Sequence, residues 1–214
     1  MQRVVIPVTP FVQNCSLIWC ERTRRAAVVD PGGDLPKIRS AIADAAVAVE
    51  RVLLTHGHLD HVGAAAELSR LLGIPVEGPH AADRFWLDAL PEQAQMFGLP
   101  PPAATIVPDR WLADGDVVAV GERRLTVLHC PGHTPGHVAF FDPEARLAFV
   151  GDVIFAGSIG RTDFPGGNQA DLLRSIREKL FPLGDDVCIV PGHGPESTIG
   201  EERRYNPFLS GRYG

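Results

Sequence analysis

The heptapeptide Thr55-His56-Gly57-His58-Leu59-Asp60-His61 sets three imidazoles and a carboxylate within a few residues of one another, directly after the apolar run Val52-Leu53-Leu54. On an extended segment His56 and His58 share one face, because side chains alternate with period two; on a helix they would diverge by about 200°. Asp60 and His61 open the next helix and reach the same space from another direction. Three imidazoles crowded into one loop would repel one another as cations, and with the carboxylate they make four nitrogen and oxygen donors that suit a divalent metal ion. A lone histidine there would read as a backbone cap.

Three further loops repeat the pattern. His133 lies in Cys130-Pro131-Gly132-His133-Thr134-Pro135-Gly136-His137, Asp152 follows Gly151, and His193 sits in Pro191-Gly192-His193-Gly194. Each follows an apolar strand and has glycine beside it, where the backbone can turn sharply. Of the eight histidines only His80 lies outside the stretches 56–61, 129–137 and 193. His129 and His137 read as hydrogen-bonding or packed strand-end residues, and Cys130 as a small buried thiol.

The elements that must carry these loops alternate in type. Val4–Val8, Ser16–Cys20 and Ala26–Asp30 read as strands, and Asp30-Pro31-Gly32-Gly33 stops the sheet. Asp34–Ala48 has helical spacing of Leu35, Ile38, Ala41, Ile42 and Ala45, Arg51–Thr55 is a buried strand, and a helix over about His61–Leu72 follows. A strand near Pro75–Glu77, a helix near Ala81–Leu90 and a connecting loop over 91–110 complete the first half. The second half restarts with a hairpin, Val117–Val120 and Leu125–His129, then strands Val138–Asp142 and Leu147–Val150. Gln169–Leu180 reads as a helix capped by Asn168, with Leu172, Leu173, Ile176 and Leu180 on one face, and Val187–Val190 as the last strand. Strands and helices in this order, twice over, predict two sheets face to face with helices outside both.

Composition removes several function classes. The chain has 214 residues with 45% hydrophobic and 21% charged side chains, a length and balance that predict one self-sufficient globular domain over 1–214. Twenty-two glycines and 19 prolines without a repeat period predict many tight loops. A net charge of −6, with Arg22, Arg24 and Arg25 the densest basic group, gives nucleic acid no footprint. No apolar run has membrane-spanning length, and Met1–Pro7 lacks a signal-peptide pattern, so the expectation is no membrane partner and a cytoplasmic location. Cys15, Cys20, Cys130 and Cys188 form no C-x-x-C pair and read as reduced thiols. Trp19, Trp86 and Trp111 read as core or loop anchors, and Arg203 and Arg204 as a solvated helix face.

The T-H-x-H-x-D-H signature, the later His133, Gly151-Asp152 and the Pro191-Gly192-His193 turn resemble the metallo-β-lactamase fold superfamily, and within it the hydroxyacylglutathione hydrolases, or type II glyoxalases. The resemblance implies an α+β fold, an αββα sandwich of two mixed sheets with the site at one edge. It also implies that His56, His58 and His133 hold one metal ion, that Asp60, His61 and His193 hold a second, and that Asp152 bridges them. Gly160–Gly167 and Ser197–Phe208 resemble the short bacterial branch of these hydrolases, and the Gly-Arg-Thr-Asp-Phe stretch also resembles persulfide dioxygenases. Where the longer type II glyoxalases have a Lys and, two residues on, a Tyr facing the thiol-peptide, this chain has Arg161 and Asp163.

The chemistry expected on that basis is hydrolysis of a glutathione thioester of the S-lactoyl type, with Asp60 and Asp152 as catalytic carboxylates. Two divalent ions share a water and lower its pKa toward about 7. A thiolate, whose conjugate pKa is about 8.5, leaves without a proton donor, whereas a leaving nitrogen needs one. His and Asp ligands accept Zn, Fe or Mn, with zinc the expected occupant. Arg161 either meets a substrate carboxylate or pairs with Asp163 to pin its loop. The alternatives are a mononuclear iron persulfide dioxygenase using His56, His133 and Asp152, and a non-catalytic protein whose metals are coordinatively closed.

Overall fold

The computed structural model describes residues 1–99, 102 and 105–210. In chain order the first half contains β1 (Gln2–Val8), β2 (Gln13–Trp19), β3 (Arg25–Val29), α1 (Leu35–Ala45), β4 (Ala48–Leu53), α2 (Leu59–Val62), α3 (Ala65–Leu72), β5 (Val76–Glu77), α4 (Arg84–Asp88) and α5 (Leu90–Met96). The second half contains β6 (Val117–Val120), β7 (Arg123–His129), β8 (Val138–Asp142), β9 (Leu147–Gly151), β10 (Ile154–Phe155), β11 (Ser158–Ile159), α6 (Gln169–Ser175), β12 (Cys188–Pro191), β13 (Ser197–Thr198) and α7 (Ile199–Tyr205).

One sheet has the order β1-β2-β3-β4-β5 and the other β13-β12-β9-β8-β7-β6. Pairs joined by tight turns are antiparallel, while β3/β4, β4/β5 and β9/β12 are parallel. Parallel neighbours need a crossover, supplied here by α1, by α2 with α3, and by the segment containing α6.

Side-chain alternation distributes the core into three layers. On β2, β3 and β4 the residues Ile18, Ala27, Val29 and Leu53 meet Val138, Phe140, Leu147 and Phe149 of β8 and β9 between the sheets. Their sequence neighbours point the other way. Leu17, Ala26, Val28 and Val52 pack under Ile38, Leu68 and Leu90 of the first helical layer, and Ala139, Phe141, Ala148 and Val150 pack under Leu172, Ile176 and Ile199 of the second. Period two in the strands therefore makes each sheet apolar on both faces, and the result is the expected αββα sandwich of mixed sheets.

Some boundaries differ from the sequence expectation for identifiable reasons. The helix expected over His61–Leu72 is two helices, because the Ala64 N–H donates to Pro31 O, 2.9 Å away, instead of continuing the helical ladder. The loop expected over 91–110 begins with α5, whose Leu90, Gln93 and Ala94 are buried and whose second residue is Pro91. Of that expected loop, residues 100, 101, 103 and 104 lie outside the described residues. Asn168 caps α6 by accepting the Asp171 N–H, and the last turn of the expected helix, Ile176–Leu180, widens into a π-turn. All four cysteines are free. Among the described residues no helix is long and apolar enough to cross a membrane.

Candidate metal centre

The ligand-type residues gather where β4, β7, β9 and β12 end. β4 delivers His56 and His58 on its extended exit, α2 turns Asp60 and His61 back, and the loops after β7, β9 and β12 bring His133, Asp152 and His193. Close approach requires glycine in these loops. A Cβ on Gly192 would sit 2.1 Å from Asp152 Oδ1, and Gly151, at φ 48°, lies where a Cβ would meet the His137 ring at 2.6 Å.

Which lone pairs face the centre follows from what the other ring nitrogen does. Thr55 Oγ1 donates to Asp30 Oδ2 at 2.6 Å and so accepts from His56 Nδ1 at 3.0 Å, leaving His56 Nε2 free. His133 Nδ1 donates to Arg161 O at 2.7 Å, His61 Nδ1 to Asp30 Oδ2 at 2.9 Å, and His193 Nδ1 to Phe11 O at 3.2 Å. His58 Nδ1 then lies 3.1 Å from His56 Nε2 and 3.0 Å from His133 Nε2. Three ring nitrogens this close have too few protons to share among themselves, and a cation between them satisfies all three.

A second group adjoins the first. His193 Nε2 is 3.2 Å and His61 Nε2 3.8 Å from Asp60 Oδ2. Asp152 stands between the groups, with Oδ1 3.4 Å from His61 Nε2 and Oδ2 3.6 Å from both His133 Nε2 and His193 Nε2. His61 Nε2 and Asp152 Oδ1 are buried without a hydrogen-bond partner, a costly state for polar atoms that a metal ion relieves. The sets His56/His58/His133 and Asp60/His61/His193 each place ligand atoms within 4.8 Å of one another. The residues therefore fit two divalent ions. Asp30, His56 and His61 are also close enough, but Asp30 already accepts from Thr55 N, Thr55 Oγ1 and His61 Nδ1 and serves to orient.

Electrostatics divides the two groups. Burial pushes His58 down to about 3, with His133 adding to the effect, and burial likewise lowers His56 and His133, so these rings stay neutral with lone pairs available. Burial also opposes charge on His61, but the Asp152 and Asp60 carboxylates outweigh it and raise its pKa. For His193 burial is the largest single influence and opposes charge, but the bond to Asp60 and the Asp152 and Asp60 carboxylates together outweigh it and raise its pKa. Burial opposes the Asp60 charge too, yet His61 and His193 hold the carboxyl below its ordinary value.

Three contributors, Asp30, Trp86 and Asp83, were not legible as site residues in the sequence, whereas His129, His137, Cys130 and the Arg161–Asp163 pair stand as the sequence suggests. In the sequence Asp30 marks only the end of a sheet; at φ 51° it leaves the strand and turns its carboxylate under Thr55 and His61. Trp86, read as a packing anchor, stands edge-on to His58 at 4.5 Å. Asp83 is fully buried and accepts from Gly57 N at 3.0 Å, Thr134 Oγ1 at 2.7 Å and Gly136 N at 2.6 Å. His137 accepts the Asp152 N–H at 3.0 Å and stacks on His56, while His129 bonds Pro135 O and stacks on His80. Burial raises the Cys130 thiol to about 12, which keeps it protonated. The Arg161 guanidinium holds both Asp163 oxygens at 2.9 Å, so the loop-pinning pair forms at the rim of the site.

Comparison with known proteins agrees with this geometry. The family model of the metallo-beta-lactamase superfamily matches residues 8–193. Hydroxyacylglutathione hydrolase GloC of Haemophilus influenzae is 49% identical over 209 residues, covering 97% of this chain and 98% of that protein. Among solved structures, TTHA1623 in a di-iron-bound form superposes with a TM-score of 0.88 at 37% identity, covering 96% of this chain and 100% of the other. The BLEG-1 B3 metallo-beta-lactamase gives 0.90 at 35% identity, covering 98% and 100%. With a match that runs from the end of β1 to the last histidine of the centre, and relatives of this identity along nearly its whole length, the chain belongs to the metallo-beta-lactamase superfamily.

Proposed function

We propose that this protein hydrolyses a glutathione thioester of the S-lactoyl type to glutathione and a 2-hydroxy acid, the 214 residues acting as one catalytic domain. In coarser terms the chain is a metal-dependent hydrolase of the dinuclear type. In the proposed assignment His56, His58 and His133 hold one ion, Asp60, His61 and His193 the other, and Asp152 is shared. The observation that carries it is the placement of Asp152, whose two oxygens reach toward imidazoles of both groups.

A pair of divalent ions, when bound, supplies hydroxide at neutral pH and polarises a carbonyl oxygen. The chain's own residues do the rest. Asp60, kept ionised by its histidine neighbours, lines the cavity and would orient the attacking water. Its contact with His193 holds that orientation. Among the described residues lining the cavity the acids and imidazoles all belong to the two ligand groups, and no Lys, Tyr, Ser, Thr, Cys or Glu stands apart from them to protonate a leaving nitrogen. A thiolate leaves unaided near neutral pH, which favours a thioester over an amide. The relative's name, hydroxyacylglutathione hydrolase, supports the same substrate.

The test is turnover of S-lactoylglutathione by metal-loaded protein while dissolved oxygen is followed. Thiol release without oxygen loss is expected. Oxygen uptake driven by glutathione persulfide, with negligible thioester cleavage, would overturn the proposal in favour of an iron dioxygenase.

A further inference from the structure

A cavity of about 440 Å³ opens over the metal-ligand groups, a size that encloses most of a drug-sized molecule. Its wall is apolar and comes from separate parts of the chain: Phe11 from the β1–β2 turn, Trp86 from α4, Met96 and Phe97 from the end of α5, Phe155 from β10 and Phe164 from the loop after β11. The aromatic members are in register with one another and with the ligands. Phe11 meets Phe97 edge-on at 5.1 Å, Phe164 stands 5.0 Å from His58, and Phe155 lies 6.2 Å from His193.

Phe11, Phe97 and Met96 are 37%, 46% and 76% exposed although they adjoin one another at the cavity. Large apolar side chains grouped in the open, beside a catalytic centre, mark a ligand surface. The polar groups around the cavity are already committed. Gln93 accepts from Leu59 N and donates to Gly57 O and Trp86 O. Arg161, the one Lys or Arg among the described lining residues, is paired with Asp163 and lies 4.3 Å above the Phe164 ring. The remaining polar residues of the lining belong to the two ligand groups. What the cavity offers the part of a substrate beyond the reacting carbonyl is therefore apolar contact.

A lactoyl group carries one methyl into such a space. The tripeptide on the sulfur, with two carboxylates and an ammonium, finds a single cation among the described residues of this lining, Arg161, already paired with Asp163, so the acyl substituent is the part the lining suits. We infer that this cavity selects thioesters of apolar acyl groups, on the order of six carbons or a phenyl ring, over the lactoyl ester. The inference rests on the thioester-hydrolase reading above and extends its acyl side from the lactoyl type to larger apolar groups.

Binding of non-hydrolysable S-methyl-, S-butyl- and S-hexylglutathione to metal-loaded protein, measured by calorimetry, tests it without requiring turnover. Affinity should rise by about two- to fourfold per methylene, as apolar burial predicts, and the rise should flatten in Phe97→Ala and in Met96→Ala at unchanged metal content. Both side chains are exposed, so the variants should fold. In parallel, kcat/KM for acylglutathiones should climb from lactoyl to hexanoyl. Equal affinity from methyl to hexyl, or an undiminished gradient in both variants, overturns the inference, and lactoyl turnover in that case leaves the hydrolase reading standing. A thioether gradient that vanishes in the variants, with no acylglutathione hydrolysed, upholds the apolar site and removes the thioester reading instead.

Discussion

A neutral imidazole offers one lone pair, and the partner of its other nitrogen decides where that lone pair points. At this centre Thr55 Oγ1, the Asp30 carboxylate and two backbone carbonyls make that choice for His56, His61, His133 and His193. Removing a ligand should be felt in metal content before it is felt in folding. Elemental analysis of loaded His193→Ala should fall from about two ions per chain toward one, and Asp152→Ala should lose more because it adjoins both groups. Protons compete unequally with the ions. His61 and His193 have raised pKa values, so binding there must displace protons and weakens as pH falls through those values; His56, His58 and His133 are lowered and keep their lone pairs. Those raised values lie above the ordinary imidazole pKa of about 6.5, so as pH drops through and below them the Asp60/His61/His193 ion should leave first, visible as a two-step loss of bound metal in equilibrium dialysis. Arg161→Ala should raise KM for glutathione thioesters by less than about fivefold, since an exposed arginine exchanges one carboxylate for another at little net gain. The ligand types were legible because His and Asp repeat at strand exits. Asp30 was not, since its carboxylate acquires a role only when a left-handed turn brings it beneath Thr55, 25 residues away.

Between the two histidine loops stands the segment from Asp83 to Gln93. Asp83 ties the His56–His58 loop through Gly57 N to the His133 loop through Thr134 and Gly136, and Gln93 holds Gly57 O and Leu59 N from the same side. Three donors stranded by Asp83→Ala cost more than one lost bond. The variant should lose about 3–5 kcal/mol in denaturant unfolding and bind metal more weakly. Asp83→Asn keeps one acceptor oxygen and should recover part of both losses. Unchanged stability and metal affinity in Asp83→Ala would show that the loops hold their positions without it. This connection was hidden in the sequence for a physical reason. The proline-rich stretch after Leu99 made the whole of 91–110 read as loop, so the buried spacing of Leu90 and Ala94 that forms α5 went unrecognised. The division of α2 from α3 was equally invisible, because it depends on an acceptor, Pro31 O, supplied by a distant turn.

At the scale of the whole molecule, alternating patterns carried further. Strand runs with both faces apolar can only be satisfied by a second sheet on one side and helices on the other, and Leu17/Ile18, Ala139/Phe140 and Ala148/Phe149 divide between layers in that way. The sandwich was therefore legible, while the gathering of the His and Asp residues at one edge was implied by the family resemblance; the shape of the apolar cavity was in neither, because Phe11, Phe97 and Phe164 come from loops with no shared period. Thioester cleavage at this centre, as assigned above, requires two ions acting together. Metal-free protein titrated with zinc or iron(II), with S-lactoylglutathione hydrolysis read against equivalents bound, tests that directly. Activity should remain low through the first equivalent and rise to a plateau at the second. Full activity at one equivalent, unchanged by further metal, would contradict it.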